Sequence, residues 1–299
     1  MPARGLPICN RRTIRSSTSA TPTSTTPCSL VSFKDPIGAD PSTPGAHGSA
    51  FDRVGAFEDG FSNGAKKCST YIDNMPPVLE LPVDQGFLAN NGNSPLDDPD
   101  NPILSDPNNP QVQAGIYGLL ITDLPRFWQA QMQSAKVTFT APKIAGYSQA
   151  GPFPHCSTTL DFAGSGSVYC PDNNTIYVNR TKGKQFYNQY GDFAIGFLVG
   201  DGYSEAVQTA LGSKLTGAQR ALRDDCLTGA YTQSTIPNST TQNHVTIQAG
   251  DLDEAVEAAV AVGDPSSQTN HFGTGFQKVA AFRKGVLGGF SACTKATAG

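Results

Sequence analysis

Residues 191–208 read Gly-Asp-Phe-Ala-Ile-Gly-Phe-Leu-Val-Gly-Asp-Gly-Tyr-Ser-Glu-Ala-Val-Gln, and this run decides the fold. No proline interrupts it, and its first half is apolar through Phe193, Phe197 and Val199. Asp192 stands where an acidic residue favours the start of a helix, because the N-terminal end of a helix carries a partial positive charge. The run therefore predicts a buried helix that begins near residue 192.

The second half of the same run is more polar. Asp201 and Glu205 are four residues apart, so on a helix both carboxylates lie on one face. The commoner interpretation of this pattern is a core helix with a solvated end. The alternative is a pair of carboxylates that lines a cleft.

The composition limits the classes of function. The chain has 299 residues, a net charge of −4 and a hydrophobic share of 38%, enough for one domain with a sizeable core and further segments. Charged residues make up 15%, whereas a typical soluble protein has about 25%. We expect no nucleic-acid partner, since no basic patch is present, and no membrane span, since no run of about 20 apolar residues occurs.

The cysteines indicate the compartment. There are seven cysteines and four scattered histidines but no Cys-x-x-Cys, which argues against a zinc-finger type of site. Disulfides fit better, so we expect an extracytoplasmic protein, secreted or associated with the cell envelope. The first ten residues lack the apolar segment of a signal peptide. Either an export signal has been removed or the start site is misplaced, and the sequence leaves both open.

Three regions follow one another along the chain. Residues 1–47 are rich in Ser, Thr and Pro and are predicted to be a disordered tail. Residues 48–110 are predicted to hold short helices and then an acidic loop rich in Pro and Asn. Oxygens of this loop could ligate calcium, but the spacing is not that of an EF-hand, and a solvated loop is favoured. Residues 111–299 are predicted to form the main domain.

The main domain combines helical and strand patterns, which predicts an α+β fold. Helix signals start at Thr122, with Pro125 in the first turn, and continue at 216–232, 250–262 and beyond residue 276. Strand signals occur at 137–140, 144–147, 168–170 and 175–178. Cys156 and Cys170 bracket a segment rich in Gly, Ser and Thr and are predicted to close it as a disulfide.

Several stretches resemble the family of predicted neutral zinc metallopeptidases, in the same order and at similar spacing. They are Val168-Tyr169-Cys170-Pro171 with Ile176-Tyr177-Val178, the 191–208 run, Asp225-Cys226-x-x-Gly229, Gly250-Asp251 through Gly263-Asp264, and His271-Phe272-Gly273-Thr274 with Phe282-Arg283-x-Gly285 and Cys293. Members of that family carry His-Glu-x-x-His in the helix that corresponds to 191–208. The two His bind one zinc ion, and the Glu between them acts as general base on the zinc-bound water.

This chain departs from the family at the reacting positions. Aligned without a gap, the first His corresponds to Asp201, the Glu to Gly202 and the second His to Glu205. The third zinc ligand, a Glu in the family, corresponds to Ala221. Asp225 matches an Asp that resembles a residue orienting a ligand His. The resemblance therefore implies a zincin-like α+β fold without zinc ligands or general base, so we expect no zinc, no other cofactor and no catalytic residue.

The favoured functional hypothesis is a pseudopeptidase, a catalytically inactive homologue that serves outside the cytoplasm as a binding or assembly protein. Its protein or peptide partner is unknown. One alternative is an active metallohydrolase with Asp201, Glu205 and Asp225 (or Asp224) as ligands, because carboxylates at i and i+4 can hold Ca²⁺ or Mg²⁺. Another alternative is a purely structural component of the envelope.

The resemblance also implies a second disulfide, between Cys226 and Cys293. Cys68 is expected to pair with Cys9 or Cys28, which leaves one cysteine over.

Overall fold

The structure is a computed structural model that describes residues 34–36, 39, 43–74, 78–79, 81, 92–109, 112–237, 245–263 and 272–294. Most of the predicted tail at 1–47 lies outside these residues, and so do Cys9, Cys28 and His271.

The described residues form an α+β fold that is mostly helical with one small sheet. Its elements in chain order are α1 (Ala50–Asn63), α2 (Ala65–Ser69), α3 (Ile116–Ser134), β1 (Lys143–Tyr147), β2 (Ser167–Cys170), β3 (Thr175–Asn179), α4 (Arg180–Gln189), α5 (Asp192–Ala210), α6 (Gly217–Thr235), α7 (Asp251–Val262) and α8 (Gly275–Thr294). No helix in this described part is both long enough and apolar enough to cross a membrane.

Helix α5 is the predicted central helix, and the prediction of a buried helix from residue 192 is confirmed. Fifteen of its 19 residues are buried, so it is enclosed rather than amphipathic. It packs against α3, α4, α6, α7 and strand β2. The rings of Phe197 and Phe282 of α8 pack edge-on with their centroids 5.6 Å apart. Phe51 of α1 also packs edge-on against Phe282, with 6.4 Å between centroids. Helix α1 thus belongs to the same core.

The sheet has the order β1-β3-β2. Strand β1 pairs parallel to β3, and β2 pairs antiparallel to β3 as the predicted hairpin. The strands predicted at 144–147, 168–170 and 175–178 are confirmed. The strand predicted at 137–140 is wrong. Val137 and Phe139 pack against the helical core instead, because alternating apolar residues indicate burial without specifying a strand partner.

Helix α3 begins six residues earlier than predicted. Pro125 lies inside it rather than in its first turn. The start is fixed by a carboxylate from the acidic loop: the backbone N–H groups of Tyr117 and Gly118 donate to the two oxygens of Asp97 at 2.8 and 3.0 Å. A cap supplied from 20 residues upstream is not visible in a local sequence pattern.

Both predicted disulfides, Cys156–Cys170 and Cys226–Cys293, are present. The second one joins α6 to α8. Glycines at the contact let the two helices approach closely, because a Cβ on Gly229 would meet the Phe282 carbonyl oxygen. The pairing predicted for Cys68 is not formed, since this residue carries an exposed free thiol at the end of α2.

Candidate functional site

The acidic residues singled out from the sequence come together around a lysine. Asp201 and Glu205 lie on α5, Asp224 and Asp225 on α6, and Lys278 on α8. We call these five residues the Lys278 cluster. The close packing of α6 on α8 brings the lysine to the carboxylates, so the cluster exists because three helices meet here.

Asp225 and Lys278 form a buried ion pair. The ammonium donates to Asp225 Oδ2 at 2.9 Å, and Oδ1 lies at 2.8 Å without the alignment of a hydrogen bond. The two side chains are 0% and 3% exposed, so the pair is shielded from solvent. Burial lowers the pKa of Lys278, but Asp225 and then Asp201 raise it, and the net pKa is above the ordinary value. The lysine therefore carries its charge at neutral pH.

The negative charges of the other three carboxyl groups in the cluster are only partly offset by neighbouring groups. Burial raises the pKa of Asp201, against the opposing charge of Lys278, and its Oδ1 has no hydrogen-bond partner. Burial, with the charge of Asp201, raises the pKa of Glu205 to about 8. Asp224 accepts a bond from Gln208 at 2.6 Å, yet burial still raises its pKa well above the ordinary value.

Gly202, which the resemblance aligns with a general base, faces the sheet. A Cβ here would lie 2.7 Å from Ile176 Cγ2 and 3.3 Å from Ser167 Oγ. Ile176 is fully buried in β3, so the hairpin leaves no room for a larger side chain at residue 202. Ala221 is partly exposed on α6. The neighbouring Arg220 crosses to α5 and donates to the Glu205 carbonyl oxygen at 3.2 Å.

The predicted residual metal set can be compared with the ligand groups of the structure. Among the described residues, two groups offer three ligand atoms within 4.8 Å of one another, and Asp201, Glu205 and Asp225 do not form one of them. The first group contains Cys156 and Cys170, whose sulfurs are joined in a disulfide and are not thiolate ligands. The second group lies at the start of α5, where this helix meets α7.

This second group consists of Asp192, Asp251 and Glu254, which we call the Asp192 cluster. It lies where the starts of α5 and α7 meet. Each carboxylate accepts one backbone N–H: Ser94 donates to Asp192 at 2.7 Å, Phe193 to Glu254 at 2.8 Å, and Gln248 to Asp251 at 2.9 Å.

An open groove of about 410 Å³ lies beyond Glu205. Its walls include Phe139, Tyr169, Pro171, Asn174, Ala206 and Thr209. The backbone N–H of Tyr169 donates to Glu205 at 3.1 Å, which connects the groove wall to the Lys278 cluster. Apolar and polar groups contribute to its lining in similar measure.

Lys278 and the Asp192 cluster were not predicted from the sequence as functional candidates. A signal for Lys278 existed, because it lies four residues before Phe282 and shares the core-facing side of α8. The meeting of Asp192 with Asp251 and Glu254 is a tertiary contact between segments about 60 residues apart, which no local pattern encodes.

The chain has a distant relative among known proteins. No family model matches the chain, and no solved structure matches it. The chain is similar to the uncharacterized protein YpfJ of Escherichia coli (strain K12) and of Escherichia coli O6:H1 (strain CFT073), with 26% identity over 200 residues in each case. The match covers 54% of this chain and 63% of each relative, so it spans less than two thirds of their length.

Proposed function

We propose that the protein is a pseudopeptidase: a catalytically inactive relative of the neutral zinc metallopeptidases, with a zincin-like fold, that binds a protein or peptide outside the cytoplasm. The observation that carries this proposal is the buried pair of Lys278 and Asp225. An ammonium group supplies positive charge among the carboxylates, where the resemblance leads one to expect a metal centre.

The Lys278 cluster already contains a positive charge of its own. A zinc site needs ligands that give up their protons to the metal, with an open position for water. The Lys278 ammonium already neutralises Asp225, and a cation placed beside it would be repelled.

The position of the general base gives separate support. Glycine has no group that accepts a proton, and loss of general-base help typically lowers a rate by about 10²–10⁴. The hairpin closes over Gly202 at Ile176, so the space that a base would use is filled by packing. This arrangement supports a fold in which the catalytic machinery has been replaced by core.

The groove supports the binding part of the proposal. It lies alongside the second half of α5, and Tyr169, Pro171 and Asn174 form one wall. The two disulfides support placement in an oxidising, extracytoplasmic compartment.

Metal content and hydrolysis test the loss of catalysis. We expect far less than one zinc ion per chain by elemental analysis of protein purified without chelator, and no chelator-sensitive cleavage of casein. One zinc per chain together with cleavage that a chelator stops would overturn the proposal. Cleavage that requires Ca²⁺ or Mn²⁺ and is lost in Glu205→Ala would favour the carboxylate metallohydrolase instead.

Groove binding is tested with fluorescent casein-derived peptides by anisotropy. Thr209 is exposed on the groove, and Thr209→Trp should weaken binding at least tenfold by filling it. Gln189→Trp, on the exposed side of α4, is the matched control and should bind like the wild type. Equal binding by both variants would assign the partner surface elsewhere and favour a purely structural role for the groove.

A further inference from the structure

The Asp192 cluster has the donor set of a hard cation. All three ligand groups are carboxylates, and the ligand atoms lie within 4.8 Å of one another. Calcium binds oxygen at about 2.3–2.6 Å, so two ligands of one ion can be up to about 5 Å apart, whereas the shorter bonds of magnesium limit this to about 4 Å. A separation of no more than 4.8 Å is therefore compatible with calcium.

An unpartnered atom gives an independent indication of a ligand. Asp192 is 6% exposed, and its Oδ1 is enclosed without a hydrogen-bond partner, while Oδ2 accepts from Ser94. The same carboxyl group faces Glu254, which it approaches within hydrogen-bonding reach. Two ionised carboxylates in contact repel each other, and a buried carboxylate oxygen that accepts from no donor is costly. A cation between Asp192 and Glu254 would be the missing partner.

Within the described part of the chain, no lysine or arginine side chain forms an ion pair with Asp192, Asp251 or Glu254. Lys34 is the ammonium that acts on Glu254, and it pairs instead with Glu257 at 3.0 Å and Asp253 at 3.6 Å. The three carboxylates therefore lie within 4.8 Å of one another without an opposing charge paired to them.

We propose that Asp192, Asp251 and Glu254 form a binding site for one calcium ion that joins the start of α5 to the start of α7. Asp251 is partly exposed, which gives the ion access from solvent and room for water ligands. Gly191 has a φ of +128°, and a Cβ there would overlap the Glu254 carboxylate, so glycine is needed for this carboxylate to reach the site. The site is independent of the Lys278 cluster and of the proposed pseudopeptidase role.

Thermal unfolding of chelator-treated protein at pH 8 tests the site. Calcium at 100 times its Kd should raise the Tm of the wild type by about 5–10 °C, because a ligand bound only to the folded state stabilises it. Titration calorimetry on the same protein should give one ion per chain with release of protons. The affinity should fall at least tenfold at pH 5.5, where protons compete.

Amide variants locate the ion without removing the backbone contacts. Asp192→Asn and Glu254→Gln each keep an oxygen that accepts from Ser94 or Phe193, and each should lose the calcium-dependent rise in Tm. Glu257→Gln, on the same helix but paired with Lys34, is the matched control and should keep it.

Three results would overturn the site. One is the absence of calorimetric binding by the wild type at millimolar calcium. Another is a calcium response that survives in both Asp192→Asn and Glu254→Gln. The third is a calcium-independent gain in Tm in both variants without any response of the wild type, which would mean that shared protons hold the cluster together. If the amide variants do not fold, the calorimetric stoichiometry and proton release of the wild type decide.

Discussion

Helix α5 carries two acidic clusters, one at its start and one in its second half, and they solve the same physical problem differently. Carboxylates that leave water need compensation for the hydration that they lose. The Lys278 cluster contains its own cation, which is fixed to Asp225 by a buried ion pair. The Asp192 cluster, among the described residues, relies on three backbone N–H donors.

This difference indicates which of the two clusters a bound metal ion would stabilise. A site with a built-in ammonium repels a second cation at close range. The carboxylates of the Asp192 cluster have no such ion pair, because Lys34 is bound to Glu257 and Asp253 instead. On the two proposals made above, we therefore expect the acidic start of the helix, and not the region that resembles a zinc site, to bind a metal ion.

The largest expected effect comes from removing the lysine. Lys278→Met keeps the length of the side chain but leaves Asp225 buried without its counter-charge. Breaking a buried ion pair on one side typically costs about 3–5 kcal/mol, and we expect a loss of this size in the free energy of unfolding by urea denaturation.

Two further variants show whether the loss comes from the charge. Lys284→Met, on the exposed side of the same helix, should change stability by no more than about 0.5 kcal/mol. The double variant Lys278→Met with Asp225→Asn should recover most of the loss, since the uncompensated charge is gone. If the stability losses of the two substitutions simply add in the double variant, the ion-pair explanation is contradicted. The two clusters would then not differ in the way their carboxylates are stabilised.

The next effect concerns the space beside the Lys278 cluster. Gly202→Ala gains about 1 kcal/mol in helix propensity but loses about 1–3 kcal/mol from overpacking against Ile176. With a Cβ only 2.7 Å from Ile176 Cγ2, we expect overpacking to prevail and the variant to be less stable by up to about 2 kcal/mol.

A double-variant cycle checks this explanation by equilibrium unfolding. Ile176→Ala removes Cγ2, so Gly202→Ala should be nearly neutral or stabilising in that background. If Gly202→Ala stabilises the otherwise unchanged protein, the hairpin yields easily and the absence of a base at this position is not enforced by packing.

Much of the fold could be predicted from local patterns, and the reason is visible in α5. Phe193, Phe197 and Val199 recur without an interrupting proline, and the acidic residue before them marks the start. The β2–β3 hairpin and the helices α6 and α7 were found for the same reason, since their patterns are short-range. The Cys156–Cys170 bridge was also suggested by its position around a short loop.

The errors have a common physical origin in distant contacts. Asp97 caps α3 from 20 residues upstream, so the start inferred from Pro125 was late. The sequence showed that Asp201 and Glu205 share a helix face, but not that Lys278 would be packed against their neighbour Asp225. Charge partners of buried groups are chosen by tertiary packing, and sequence periodicity does not report them.

The smallest expected effect is a difference in the pH range over which the clusters influence stability. The pKa of Glu205 is raised from an ordinary value of 4.5 to about 8, so between these values the folded state binds more protons than the unfolded state. The free energy of unfolding must then fall as the pH rises through this range. Glu205→Gln removes this contribution and should reduce the loss between pH 5 and pH 8 by about 1 kcal/mol, after allowance for its partial exposure.

Glu254 should affect the free energy of unfolding over a wider pH range, because its pKa is raised to about 10. Glu254→Gln should therefore flatten the pH dependence beyond pH 8, where Glu205→Gln has no further effect. Urea denaturation of both variants at pH 5, 7, 8 and 9 gives the comparison, with Asp106→Asn in an exposed loop as control. In saturating calcium the wild type should lose the Glu254 contribution and keep that of Glu205, because only the Asp192 cluster would exchange its protons for the ion.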